Sequence, residues 1–457
     1  LRSKVVVATG DPISARMAGP AIRAWHMAEV LSRAHDVVLI TTVTSDRVHP
    51  GFDVRAVGEA ELRELDQWCD VLVFQGGLLR DFPFLLDSDT VIVADIYDPF
   101  HLENLEQGRG QPIDQRDAII RHLTGVLNEQ LQRADFFLAA SERQRDFWIG
   151  GLAALGRVNP FTYDEDETLS SLVGVAPFGL PAESPVRRAP ALRGVVPGIG
   201  PDDKVVIWAG GVYNWFDPLT LVRAVDRLRL RVPTIRLFFM GMQHPNPHIP
   251  AMRMADEVRA LSTELGLTGS HVFFNDSWVE YDHRADYLLD ADIGVSTHLG
   301  HVETAYSFRT RILDYLWTGL PIVATGGDAF GALIEGADLG AAVPPGDEAA
   351  LEGALHHLLS DDAALARCRA NVARVAPEFQ WEAALLPLVE FCRHPRPAPD
   401  REHRRAAALS VTPAQSGAAP PPAARSMSRK LVGRTRRFGG RLLRAARRRV
   451  RGGRTTG

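Results

Sequence analysis

Cysteine is scarce, with only Cys69, Cys368 and Cys392 among 457 residues. They are far apart, odd in number and without metal-ligand spacing. That excludes a disulfide framework and fits a reducing compartment. No apolar run approaches the ~18–20 residues of a membrane-spanning helix. No secretory leader is visible either, because Lys4 runs directly into a short strand-like segment. These absences predict a cytoplasmic protein. Acidic residues are missing from Arg425 onward, where thirteen Lys and Arg stand against none; the first 424 residues hold all 56 acids with the remaining 38 bases. An acidic body thus carries a basic tail, and the two are read separately.

What is present is an ordinary globular balance, 46% hydrophobic and 23% charged, over a length that suits two domains. Short apolar, β-branched runs at residues 5–10, 36–42, 70–77, 90–98 and 134–141 read as strands buried on both faces of a parallel sheet. Helical spacing covers 20–33 and 112–132 between them. Residues 182–203 are rich in Pro, Ala and Gly and read as a linker. The alternation restarts at 204–211 and continues through runs at 235–241, 271–276, 291–297 and 319–325. The pattern predicts an α/β chain of two Rossmann-like, doubly wound domains facing across a cleft. The expected division is an acceptor domain over 1–185, a nucleotide-sugar donor domain over 186–375 and a return helix over 376–394. A Pro/Ala-rich linker with the basic tail, 395–457, is expected to be disordered.

The segment ETAYSFRTRILDYLWTGLPIVATGGD, residues 303–328, combines a helix, a Gly-x-Pro turn and a short buried strand. With WAGGVYNWFDPLTLVRAV at 208–225 and GPAIRAWHMAEVL at 19–31, it resembles the family 4 glycosyltransferases of the GT-B fold. The similarity spans roughly residues 3–393. It implies a nucleotide-sugar donor used as substrate, no cofactor and no metal. It also implies retention at the anomeric carbon without a side-chain nucleophile. Asp87-Ser88-Asp89 has the Asp-x-Asp form of a different transferase fold, but it sits in a turn where such a triplet arises by chance.

A donor diphosphate calls for unpaired N–H groups and positive charge, which a helix amino terminus and arginines supply. Ser307, Phe308, Arg309, Thr310 and Arg311 stand where the resemblance puts that helix start. Two arginines there oppose the helix dipole, so a solvated surface pair is the less economical explanation. Gly210 and Gly211 allow close backbone approach. Gly19 and Arg23 lie at the first strand-to-helix junction and are expected near the diphosphate.

The resemblance places Asp314 on the ribose hydroxyls, and Trp278 and Val279 at the base. Asp98 and His101 follow a buried strand and are expected beside the acceptor. With Glu303 and Arg309 they form the expected catalytic set. Ser141-Glu142-Arg143 is read as acceptor-side lining, although a plain N-cap explains Ser141 equally well. The chain departs from the family in two places. Tyr306 stands where the first of two glutamates belongs, so Glu303 is the candidate replacement. Gly211 and Phe216 stand where the family has Arg and Lys, which leaves Arg309, Arg311 and Arg23 to supply the charge.

The expected activity is sugar transfer to a glycan or lipid-linked acceptor in cell-surface polysaccharide or glycoconjugate assembly. The alternatives are a non-catalytic partner subunit that binds nucleotide or glycan, and a GT-B sugar-nucleotide epimerase. The tail over 428–454 interleaves arginine with Leu, Val and Phe. It is read as a peripheral segment for the anionic inner face of the plasma membrane, not a specific nucleic-acid arm.

Overall fold

The computed structural model describes residues 2–246 and 249–410. Contacts group residues 1–402 into one compact unit; the second begins at His403, and only the end of the helix Arg401–Ser410 is described in it. The basic tail lies outside the described residues.

The first sheet contains β1 (Lys4–Thr9), β2 (Asp36–Thr41), β3 (Asp53–Ala56), β4 (Val71–Phe74), β5 (Val91–Asp95), β6 (Phe136–Ala139) and β7 (Val173–Val175). They lie in the order β3-β2-β1-β4-β5-β6-β7, all parallel. The second contains β8 (Lys204–Trp208), β9 (Ile235–Phe239), β10 (Val272–Phe274), β11 (Ile293–Ser296), β12 (Ile322–Thr325) and β13 (Gly340–Val343). Its order is β10-β9-β8-β11-β12-β13, again parallel. The central strands VLVF and IVAT are buried along their whole length, as a sheet covered by helices on both faces requires. Strand order reverses between β1 and β4 in one sheet and between β8 and β11 in the other. Ligands of doubly wound sheets collect at the carboxyl ends beside such reversals.

Residues past the second sheet return to the first lobe. Trp381 stacks on His26 with ring centroids 4.9 Å apart, and Ser3 donates to the Cys392 carbonyl at 2.9 Å. Pro387 near the start of helix Leu386–Arg393 divides this return from the short helix Trp381–Ala384. The expectation of disorder fails for residues 395–402. Asp400 forms a fully buried ion pair with Arg157 (2.7 Å), and the Ala398 N–H donates to Asp135 at 3.0 Å. Specific partners for buried polar groups override a Pro/Ala-rich composition here.

Candidate functional site

The loops at the carboxyl ends of β1, β5, β8 and β10 converge on a cavity of about 430 Å³ between the two lobes. Hydrogen bonds cross its edges. Trp278 Nε1 donates to the Met17 carbonyl at 3.2 Å, Asn246 to Asp11 at 2.6 Å, and Gln144 to the Tyr306 carbonyl at 2.6 Å. Ser141 caps its own helix by accepting from the Gln144 N–H, and Arg143 reaches the Ala305 and Gly327 carbonyls across the gap.

Ser307, Phe308, Arg309, Thr310 and Arg311 all line the cavity. The helix starts later than the sequence pattern suggests, spanning Arg311–Thr318 with Thr310 as its N-cap. Ser307 ends the preceding short helix Val302–Tyr306 in an extended conformation (φ −80°, ψ 157°), so the chain must turn again before it coils. Its amino end still faces the gap between the lobes.

Arg311 is 7% exposed, with Trp208 and Phe216 rings 4.2 and 4.1 Å from its guanidinium carbon. Nη2 donates to the Gly211 carbonyl at 2.9 Å. Nη1 is buried with no hydrogen-bond partner. Burial lowers its pKa to about 10, which leaves it charged at neutral pH. The two positions where basic family residues are missing, Gly211 and Phe216, are thus both touched by this guanidinium. Gly210 needs its glycine for φ +77°. A Cβ on Gly211 would come within 2.9 Å of Tyr213 and 3.2 Å of Trp278, so no side chain fits there without rearrangement.

Arg309 plays a different part from the one expected. Although the residue borders the cavity, its guanidinium grips Glu303 through Nη1 (3.2 Å) and Nη2 (2.9 Å). Glu303 is fully buried, and His301 lies 3.6 Å from it. It is absent from the cavity lining, and its carboxylate is taken up by Arg309. The pair instead props the loop that leads into the helix.

Arg23 is also reassigned. It is fully buried and bidentate to Asp95 at 2.7 and 2.8 Å, and it donates to the Ala176 and Pro177 carbonyls at 2.8 and 3.0 Å. With its donors turned inward it cannot meet a diphosphate. Gly19, four residues earlier, does line the cavity.

Helix Phe100–Gln107 explains why His101 misses the site. Phe100, Glu103, Asn104 and Gln107 share one face by their i, i+3, i+4, i+7 spacing, and all four line the cavity. His101 is turned away, packing against Phe147 and Trp148 with centroids 5.9 and 6.1 Å distant, and burial lowers its pKa. Glu103, which sequence reasoning missed, takes the cavity position; the helical phase counted from Phe100 was the signal for it. Glu103 and Asp98 both line the cavity and perturb each other's ionisation. Burial, then the nearby Glu303 and Asp95, pushes Asp98 up to about 7, and burial holds Glu103 well above the usual carboxyl range. Two carboxyls this close titrate as a coupled pair.

Asp314 lines the cavity and accepts from Arg284 Nε at 3.0 Å. A side lobe of about 60 Å³ opens next to it, lined by Gly210, Gly241, Trp278 and Val279 among others. Among the described residues no group of three His, Cys, Asp or Glu is arranged to hold a metal ion, and no helix is long and apolar enough to cross a membrane.

Residues 203–361 match the family model described as glycosyl transferases group 1. The chain carries a glycosyl transferases group 1 domain. No curated protein matches it in sequence. Among solved structures, sucrose-phosphate synthase from Thermosynechococcus elongatus is 16% identical, with 90% of this chain and 100% of that one covered, at a TM-score of 0.58. HepE from Anabaena in complex with UDP-glucose is 14% identical over 86% and 100%, with a TM-score of 0.62. WaaG, a glycosyltransferase involved in lipopolysaccharide biosynthesis, is 16% identical over 86% and 99%, at 0.57. At these identities the likeness establishes the GT-B fold. The group 1 domain contains the Gly210–Gly211 turn, Trp278, the Arg311 helix and Asp314. Its reaction class is glycosyl transfer.

Proposed function

We propose that this transferase moves a sugar from a nucleoside diphosphate donor to a hydroxyl of a glycan or lipid-linked acceptor. The observation that carries the reading is Arg311, a buried arginine that lines the cavity beside a helix amino end and keeps one guanidinium nitrogen, Nη1, without a hydrogen-bond partner. An unmade charged hydrogen bond in a buried site is costly, and a phosphate oxygen would satisfy it. Asp314 is suited to the ribose diol, and the lobe beside Trp278 and Val279 to the base. Asp98 and Glu103 offer acceptors to incoming hydroxyls from the opposite wall. Arg311 and the helix end then stabilise charge developing on the leaving diphosphate, which takes the acceptor proton on the same face, with retention. That HepE was captured with UDP-glucose, and that WaaG serves lipopolysaccharide synthesis, supports a sugar-nucleotide donor and a surface-glycan setting. A cytoplasmic site of action, with the basic tail at the inner membrane face, suits such an acceptor.

Sugar nucleotides of uridine, guanosine, adenosine and thymidine, incubated with the full chain and a panel of glycan acceptors, test this. Release of nucleoside diphosphate dependent on acceptor is the expected outcome. Tight binding of a sugar nucleotide without turnover across the panel would instead make the chain a binding subunit.

A further inference from the structure

Asp314 does not stand alone. Arg284 holds its Oδ1 through Nε at 3.0 Å and is itself clamped, with Tyr281 and Trp317 rings 3.7 and 4.3 Å from its guanidinium carbon. Arg284 Nη1 donates to the Tyr281 carbonyl at 2.8 Å and Nη2 to the Tyr281 hydroxyl at 3.2 Å. That hydroxyl lies 2.8 Å from Nε2 of His26, which belongs to helix Gly19–Ser32 of the opposite lobe. His26 Nδ1 in turn lies 2.7 Å from Glu29. A carboxylate can only accept, so Nδ1 carries the proton, Nε2 accepts from Tyr281, and the tyrosine oxygen accepts from Arg284. Every bond then has a donor and an acceptor, and the chain has one direction from Arg284 to Glu29. Its centre is buried, with His26 and Arg284 each 7% exposed, which strengthens each bond and penalises losing one. Tyr281 and Arg284 line the cavity, whereas His26 and Glu29 lie behind it.

We infer that Tyr281, and His26 from across the cleft, are positioning residues that orient Arg284 and through it the Asp314 carboxylate for the donor's ribose. The inference rests on the reading of Asp314 as the ribose acceptor. The closed lobes complete the chain, because its His26–Tyr281 bond spans them. Opening would break that bond and release Asp314 from its fixed orientation, so donor grip and lobe closure are coupled.

Calorimetric titration of the full chain with UDP, GDP and ADP, and with their 2′,3′-dideoxy counterparts, tests it. Tyr281→Phe keeps the ring over Arg284 and removes only the hydroxyl. It should weaken the bound nucleoside diphosphate about tenfold while leaving the dideoxy form within about twofold of wild type. His26→Ala should behave alike, and His26→Gln, which retains a group able to bond Tyr281, should restore affinity. Equal weakening of both nucleotide forms, or unchanged affinity for the ribose form in Tyr281→Phe, overturns the inference. Asp314→Asn separates the premises: if it leaves ribose discrimination intact, the assignment of Asp314 falls first. A wild-type chain that binds none of the three diphosphates refutes the proposed function and the relay with it.

Discussion

Arg311→Ala is expected to lower kcat/KM for the sugar nucleotide by about 10²- to 10³-fold, the usual cost of removing a preorganised charged donor from a site where negative charge develops. The guanidinium cannot relax to find another partner. Nη2 is committed to the Gly211 carbonyl, and the Trp208 and Phe216 rings fix its plane. These contacts fix the guanidinium plane and leave Nη1 without a partner of its own. Arg311→Lys should recover little, since an ammonium cannot hold Gly211 and a phosphate oxygen in one plane. Steady-state kinetics with the preferred donor check both variants. Activity within threefold of wild type for Arg311→Ala would remove this residue from the diphosphate site.

Arg23→Ala should act through stability, not through donor affinity. Truncation leaves the Asp95 carboxylate buried, and burial already pushes its pKa upward even with Arg23 opposing that shift. The Ala176 and Pro177 carbonyls lose their donor as well. Breaking a buried ion pair from one side typically costs about 3–5 kcal/mol. Denaturant unfolding of the variant should show a loss of that size. The paired change Arg23→Met with Asp95→Leu should recover most of it, because no charge is then left stranded. Donor KM in the folded fraction should stay within about twofold. A large rise in KM with unchanged stability would return Arg23 to the diphosphate.

These two arginines show where sequence reading succeeds and where it stops. Position along the chain was legible. Residues after continuous apolar runs were expected at strand ends, and Gly19, Asp98, Gly210, Trp278, Ser307, Arg311 and Asp314 do lie on the cavity. Partner choice was not legible. Arg23 is spent on Asp95, 72 residues away, and Arg309 on Glu303, and neither pairing leaves a mark in local spacing. Helical phase was available but unused for His101 and Glu103, which differ in facing because two residues turn a helix by about 200°. Arg284, outside the segments that carry the family resemblance, became visible only when the fold brought it to Asp314. Three strands escaped for a related reason. β3 reads DVRA and is only half-buried, β7 is just VGV, and β13 reads GAAV, so none carries the apolar signature of an interior strand.

A crystal structure of the chain with its nucleoside diphosphate tests the central claim most directly. The account predicts the β-phosphate within hydrogen-bonding distance of Arg311 Nη1 and of backbone N–H groups between Phe308 and Arg311, with the ribose hydroxyls on Asp314. A nucleotide bound elsewhere, with Arg311 and this helix end still unpaired, would contradict it.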